Sequence, residues 1–180
     1  GWLGDLVAND DRRGRRHHGA LAIDLDHRLV NRVADEEATV QVRRLGEAIL
    51  NDYDEIDLLI NNAGIAFATE RSVSEDGHEL HFQVNYLSHF LLTAMLLPRL
   101  RESAPSRIIN VSSIAQQAID FDDVMLEDSF NGGRAYAQSK LAQILHTFDL
   151  AEELDGSNVS VNALHPATMM DTPMVLNAGR

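Results

Sequence analysis

The 180 residues carry 15 Lys plus Arg against 28 Asp plus Glu, a formal net charge of −13, with 44% hydrophobic and 6% aromatic residues. This describes one soluble globular domain, and the acidic balance excludes a nucleic-acid backbone or an anionic membrane surface as partner, because both are held by Lys and Arg. The absence of Cys excludes a disulfide framework, a Cys-ligated metal and a thiol nucleophile, and makes a cytoplasmic location the simplest expectation.

Residues 1–19 read as an N-terminal arm set apart from a domain at 20–180. Arg12, Arg13, Arg15 and Arg16 make that end slightly basic, which fits a solvated arm better than an anion-binding patch. No basic stretch leads into an apolar run, so no signal peptide is expected. The longest apolar run, Phe90–Leu97, falls short of the roughly 20 residues that a membrane span needs.

From Ala20 onward, short apolar runs alternate with amphipathic stretches. Ala20–Ile23, Ile56–Ile60, Arg107–Val111 and Val159–Leu164 predict buried strands. Val33–Tyr53, Ser74–Arg101 and Arg134–Leu154 predict helices, the second bearing Val84, Leu87, Leu91, Ala94 and Leu97 at helical spacing. Strands joined by helices of this length imply right-handed crossovers and a doubly wound α/β fold, its sheet mostly parallel with helices on both faces.

Ligands of such sheets bind beyond the carboxyl ends of the strands. There the chain places Asn61-Asn62-Ala63-Gly64, Ser112-Ser113 and His165-Pro166-Ala167-Thr168. Any one of these suits a cap or a turn, but three on one edge favour a ligand site.

Tyr136 and Lys140 lie four apart in a predicted helix and so share a face. A neighbouring ammonium favours the phenolate, which lets such a pair work as a general acid or base; alone, the pattern equally fits a surface cation beside an aromatic ring. Ser113 supplies a hydroxyl that can orient a carbonyl toward Tyr136. Asn85 is disfavoured inside a helix, so it either points to solvent or marks a helix distortion that holds a water. The His pairs at 17/18 and 78/81 lack a carboxylate at metal-ligand spacing, so no metal is expected, and no G-x-S-x-G turn supports a hydrolase triad.

Taken in order, Asp57-Leu58-Leu59-Ile60-Asn61-Asn62-Ala63-Gly64, Val84-Asn85, Arg107-Ile108-Ile109-Asn110-Val111-Ser112-Ser113 and the Y-x-x-x-K of Tyr136 and Lys140 resemble the short-chain dehydrogenase/reductase family over about residues 55–175. The resemblance implies an NAD- or NADP-dependent oxidoreductase that interconverts a small-molecule alcohol and a carbonyl. Tyr136 would be the acid/base, Lys140 its partner and a ligand of the nicotinamide ribose, Ser113 the residue that positions the substrate, and Asn85 the holder of a water at Lys140. Asn61, Ala63 and Gly64 would lie along the cofactor, Pro166, Ala167 and Thr168 beside the nicotinamide, and Thr172 at its amide or phosphate. Asp24 and Leu25 would contact the adenine, although 37 positions, more than is usual, separate Asp24 from Asn61. The 23 positions from Ser113 to Tyr136 resemble the retinol-dehydrogenase-like subgroup, whose insertion contributes to the substrate side; here it is Gln116–Gly132, and its Phe121, Met125 and Phe130 suggest an apolar alcohol or ketone. The family opens with a strand, a T-G-x-x-x-G-x-G turn and a phosphate-binding helix. Nothing before Ala20 matches, so the chain reads as a Rossmann-like fold that lacks its first βα unit and is truncated at both ends. The alternative is a noncatalytic fragment that keeps the helices such proteins use to form homo-oligomers.

Overall fold

Four short runs build one parallel sheet in the order β1 (Ala20–Ile23), β2 (Leu58–Asn61), β3 (Ser106–Val111) and β4 (Val159–Leu164). The computed structural model describes the backbone of 20–23 and all of 38–66 and 68–166. The arm and the expected ligand residues Asp24, Leu25, Ala167, Thr168 and Thr172 lie outside the described residues. Between the strands run α1 (Ala38–Asp52), α2 (Leu80–Phe82) continuing through a π turn (Gln83–Leu87) into α3 (Ser88–Glu102), and α4 (Gly132–Glu153).

Because the strands follow one another across the sheet without reversal, right-handed crossovers bring α1, α3 and α4 to the same face. Burial alternates accordingly. Leu59, Ile108, Val159 and Val161 are buried under Val42 and Ile49 of α1, Leu92, Leu96 and Leu100 of α3, and Leu150 of α4, whereas Arg107, Ser160 and Asn162 are exposed. The parallel Rossmann-like architecture is the expected one; among the described residues its helices cover one face of the sheet rather than both.

Two element boundaries differ from expectation for identifiable reasons. The helix expected from Ser74 begins at Leu80, since Ser74–Gly77 closes a turn, with Gly77 at φ +84°. Positive φ suits a residue without Cβ. Glu79 then caps the helix, its carboxylate accepting from the backbone N–H of His81 at 3.0 Å and of Phe82 at 2.9 Å. The second strand starts at Leu58 rather than Ile56, because the Ile56 N–H donates to Ser103 Oγ at 2.9 Å instead of to a neighbouring strand.

Leu96 is fully buried in the helix–sheet cluster, so Leu96→Ala is expected to cost about 2–5 kcal/mol of folding stability. Phe148→Ala, at a ring 67% exposed, is expected to stay within about 0.5 kcal/mol of the parent. Urea denaturation followed by circular dichroism measures both.

Candidate active site

The carboxyl ends of β2 and β3 are joined underneath by a buried polar ladder. Asn61 and Asn110 are register partners, and the Asn61 amide donates to Asn110 Oδ1 at 2.7 Å and to Thr93 Oγ1 of α3 at 3.0 Å. Asn110 Nδ2 in turn donates to Thr147 Oγ1 of α4 at 2.8 Å. Both strand ends are thereby tied to the two long helices. Asn61, expected along the cofactor, spends its amide inside this ladder; Ala63 is buried and Gly64 half-buried just beyond it.

Asn85 sits in the π turn and is fully buried, so it does not point to solvent and the helix is distorted around it. Its Oδ1 accepts from the Ile65 N–H at 2.8 Å, and its Nδ2 donates to the Ile65 carbonyl at 3.0 Å and to Ser139 Oγ at 2.9 Å. Ser139 Oγ donates onward to the Tyr136 carbonyl at 2.7 Å. The side chain therefore clamps the loop after β2 to the turn of α4 between Tyr136 and Lys140, and it reaches Lys140 only through that helix.

Helix α4 starts at an Asn131 cap whose Oδ1 accepts from the Arg134 N–H at 2.9 Å. Gly132 is required there, since a Cβ would collide with the Ala68 carbonyl oxygen. One stripe of the helix then carries Tyr136, Lys140, Gln143 and Thr147, all buried. Lys140, the chain's single lysine, is 3% exposed. Its Nζ lies 5.9 Å from the centre of the Tyr136 ring and donates to the Val111 carbonyl at 2.9 Å and to Gln143 Oε1 at 3.0 Å. Burial pushes the ammonium down to about 8 from the ordinary 10.5.

The two serines after β3 behave differently. Ser112 is buried and donates to the Lys140 carbonyl at 3.0 Å, which anchors the strand end to the helix at the lysine. Ser113 is half-buried; its Oγ accepts from the Ala115 N–H at 3.1 Å, which leaves its own hydrogen to donate. Pro166 is exposed just beyond β4. The structure thus brings Tyr136, Lys140 and Ser113 to one sheet edge, with Asn85 and Asn61 behind it as braces.

The described residues suit the ribose end of a nicotinamide dinucleotide. Lys140 has three N–H donors and two acceptors among the described residues, so one N–H remains for a ligand hydroxyl. The residues expected at the phosphates and adenine fall outside the described set. Among the described residues no cluster of three metal-binding side chains occurs, and no helix is long and apolar enough to cross a membrane.

Reasoning from sequence missed Ser139, Gln143, His89, Asn110, Thr93 and Thr147. Their signal is a polar residue at a position where helical or strand periodicity calls for an apolar one: Gln143 and Thr147 continue the Tyr136–Lys140 stripe, and His89 lies four residues after Asn85. His89 Nδ1 is 2.8 Å from Gln143 Nε2. Burial and the nearby Lys140 ammonium push this imidazole down to about 3, with the Asn85 carbonyl opposing.

Residues 7–180 match the profile of the short chain dehydrogenase family. The chain is 46% identical over 145 residues to Retinol dehydrogenase 13 of Homo sapiens, covering 79% of this chain and 44% of that protein. It is 47% identical over 140 residues to Retinol dehydrogenase 14 of Homo sapiens, covering 77% and 41%. The chain thus spans less than half the length of these two relatives. Among solved structures, an uncharacterised protein from Mycobacterium paratuberculosis superposes with a TM-score of 0.63 at 34% identity, over 78% of this chain and 49% of that one. The NADP complex of RhlG from Pseudomonas aeruginosa gives 0.59 at 26% identity, over 87% and 68%.

Folding lowers the Lys140 value from 10.5 to about 8, so between those pH values the unfolded chain binds more protons than the folded one. Stability is therefore expected to rise with pH across that window as the cost of the buried ammonium is relieved. Lys140→Met removes this component. Urea midpoints of both proteins, compared at pH values spanning about 7.5 to 10.5, are expected to show the parent gaining on the variant as pH increases.

Proposed function

The chain belongs to the short-chain dehydrogenase family, and from that premise we propose that it interconverts an alcohol and a carbonyl using NAD or NADP, with Tyr136 as acid and base toward the substrate oxygen. The observation that carries this reading is the buried Lys140 ammonium, held 5.9 Å from the Tyr136 ring at the carboxyl edge of the sheet. A fixed positive charge in a dry environment stabilises negative charge on a neighbouring phenol oxygen more strongly than it would in water.

The dinucleotide, when bound, supplies or accepts the hydride. In the reducing direction Tyr136 gives its proton to the carbonyl oxygen as that oxygen gains negative charge; in the oxidising direction it takes the proton from the alcohol. Ser113 donates its remaining hydrogen to the same oxygen and sets its orientation. Lys140 offers its uncommitted N–H to the ribose, and Asn85 keeps the Ala63–Ile65 loop against α4 so that the floor of the site does not shift.

An apolar alcohol is the substrate class best supported. The exposed side chains of Ile114 and Phe121 follow Ser113, and the two human relatives named above carry retinol in their names. A second reading, self-association through the helical surface, draws support from Phe90, Leu145 and Phe148, which are exposed on α3 and α4.

Tyr136→Phe removes the transferable proton while keeping the ring. It is expected to lower the rate of NAD(P)H formation from an apolar primary alcohol by about 10²–10⁴-fold, with little change in cofactor affinity measured by fluorescence titration. An unchanged rate would eliminate Tyr136 as the acid/base.

A further inference from the structure

Lys140 is the one residue of the proposed machinery whose position is not set by its own backbone, since a long flexible side chain must be held at its far end. Two groups hold it: the Val111 carbonyl at 2.9 Å and Gln143 Oε1 at 3.0 Å. The first is fixed by the sheet. The second belongs to a side chain that can rotate, and what prevents rotation lies on the opposite helix.

A glutamine amide has one face that accepts and one that donates. Lys140 Nζ is donor only, so the Gln143 oxygen must face it, and Gln143 Nε2 is left pointing at His89 Nδ1, 2.8 Å away. For that contact to be a hydrogen bond, Nδ1 must accept, which requires a neutral imidazole with its hydrogen on Nε2, a buried atom that meets no acceptor among the described residues. A protonated His89 would set N–H against N–H. The downward push on His89 from burial and from Lys140 agrees with this requirement. Gln143 and His89 are both buried, so water does not compete for either end of the amide.

We infer that Gln143 and His89 are positioning residues for Lys140: a neutral His89 locks the Gln143 amide so that its oxygen, and never its nitrogen, faces the ammonium. The inference rests on the proposed role of Lys140 beside Tyr136, and it assigns to α3 a share in that role. Among the described residues the titratable groups beside Lys140 are Tyr136 on its own helix and His89 on α3, while β3 presents the Val111 carbonyl and the segment just after it the Ser112 hydroxyl. A direct readout exists because Lys140 is the chain's single lysine: protein labelled with ¹³C and ¹⁵N lysine gives one side-chain signal, whose titration follows this ammonium without any assay of turnover.

Removing an acceptor from a charged donor disfavours the charged form, and supplying a carboxylate favours it. Gln143→Leu is therefore expected to lower the Lys140 midpoint by about one pH unit, a tenfold change in protonation ratio, and the isosteric Gln143→Glu to raise it. His89→Leu frees the amide to turn and lowers the midpoint. His89→Asn, whose Oδ1 can accept where Nδ1 did, retains the parent value. A Lys140 midpoint that does not move in either Gln143 variant, or that moves equally in His89→Leu and His89→Asn, overturns the inference. Should Gln143→Leu fail to fold, the isosteric Gln143→Glu carries the test together with His89→Asn. Loss of the acid/base reading itself would show instead as full hydride transfer by Tyr136→Phe, with the lysine titrations still following the pattern above.

Discussion

One buried cation organises the carboxyl edge of this sheet. An ammonium taken out of water is costly unless its donors are satisfied, and Lys140 meets that condition with groups drawn from two sources, the last carbonyl of β3 and a glutamine one helical turn further along α4. Ser112 adds a reciprocal bond from the strand end to the Lys140 carbonyl. Strand and helix are thus joined at the lysine by its backbone and its side chain together. The charge remains partly disfavoured even so, as its lowered value records, and a destabilised cation is available to stabilise negative charge that develops nearby.

The polar ladder beneath the site follows the same logic. Asn61, Asn110, Thr93 and Thr147 fill positions between sheet and helices where leucine or valine would pack. In exchange, their directional bonds fix how α3 and α4 lie against β2 and β3, and so where Asn85 and Tyr136 face each other. A purely apolar layer tolerates sliding by a fraction of a turn, whereas a hydrogen-bonded one has a single register. The π turn serves the same end: it carries the Asn85 amide against the Ile65 backbone and Ser139, so that the loop after β2 is hydrogen-bonded to the Tyr136–Lys140 turn of α4.

Much of this was legible in the sequence because it rests on short-range periodicity. The strands at 107–111 and 159–164 and the four-residue spacing of Tyr136 and Lys140 follow from the pattern alone, while Asn85 inside a helix left open whether it faced solvent or distorted the helix. What escaped depends on which face a residue takes once the strands are in register. Asn61 reads as a ligand residue at a strand end, yet its pairing with Asn110 turns it into the covered layer. Gln143 and His89 are unremarkable until two helices meet and place them 2.8 Å apart. The turn at Ser74–Gly77 was hidden by apolar spacing that runs on past it, although Ser-Glu-Asp-Gly is turn chemistry in its own right.

The insertion between Ser113 and Tyr136 shows how the same frame reaches the substrate side. Leu126 is fully buried with φ +50°, an unusual conformation for a branched side chain that only strong local bonding sustains. That bonding is present on the two residues before it: Arg71 Nε donates to the Met125 carbonyl at 3.0 Å, and Gln138 Nε2 to the Val124 carbonyl at 2.7 Å. Gln138 lies on α4 between Tyr136 and Lys140, so the helix that carries the proposed acid/base pair also holds the insertion. The segment is consequently divided. Val124–Leu126 is pinned to α4, while Phe121 stands exposed a few residues earlier, next to an Asp120 that ties back to Arg134 at 2.9 Å. Phe121 therefore lies between two bonds to α4, Arg134 to Asp120 and Gln138 to the Val124 carbonyl. The insertion is thus secured to the helix that carries Tyr136 and Lys140.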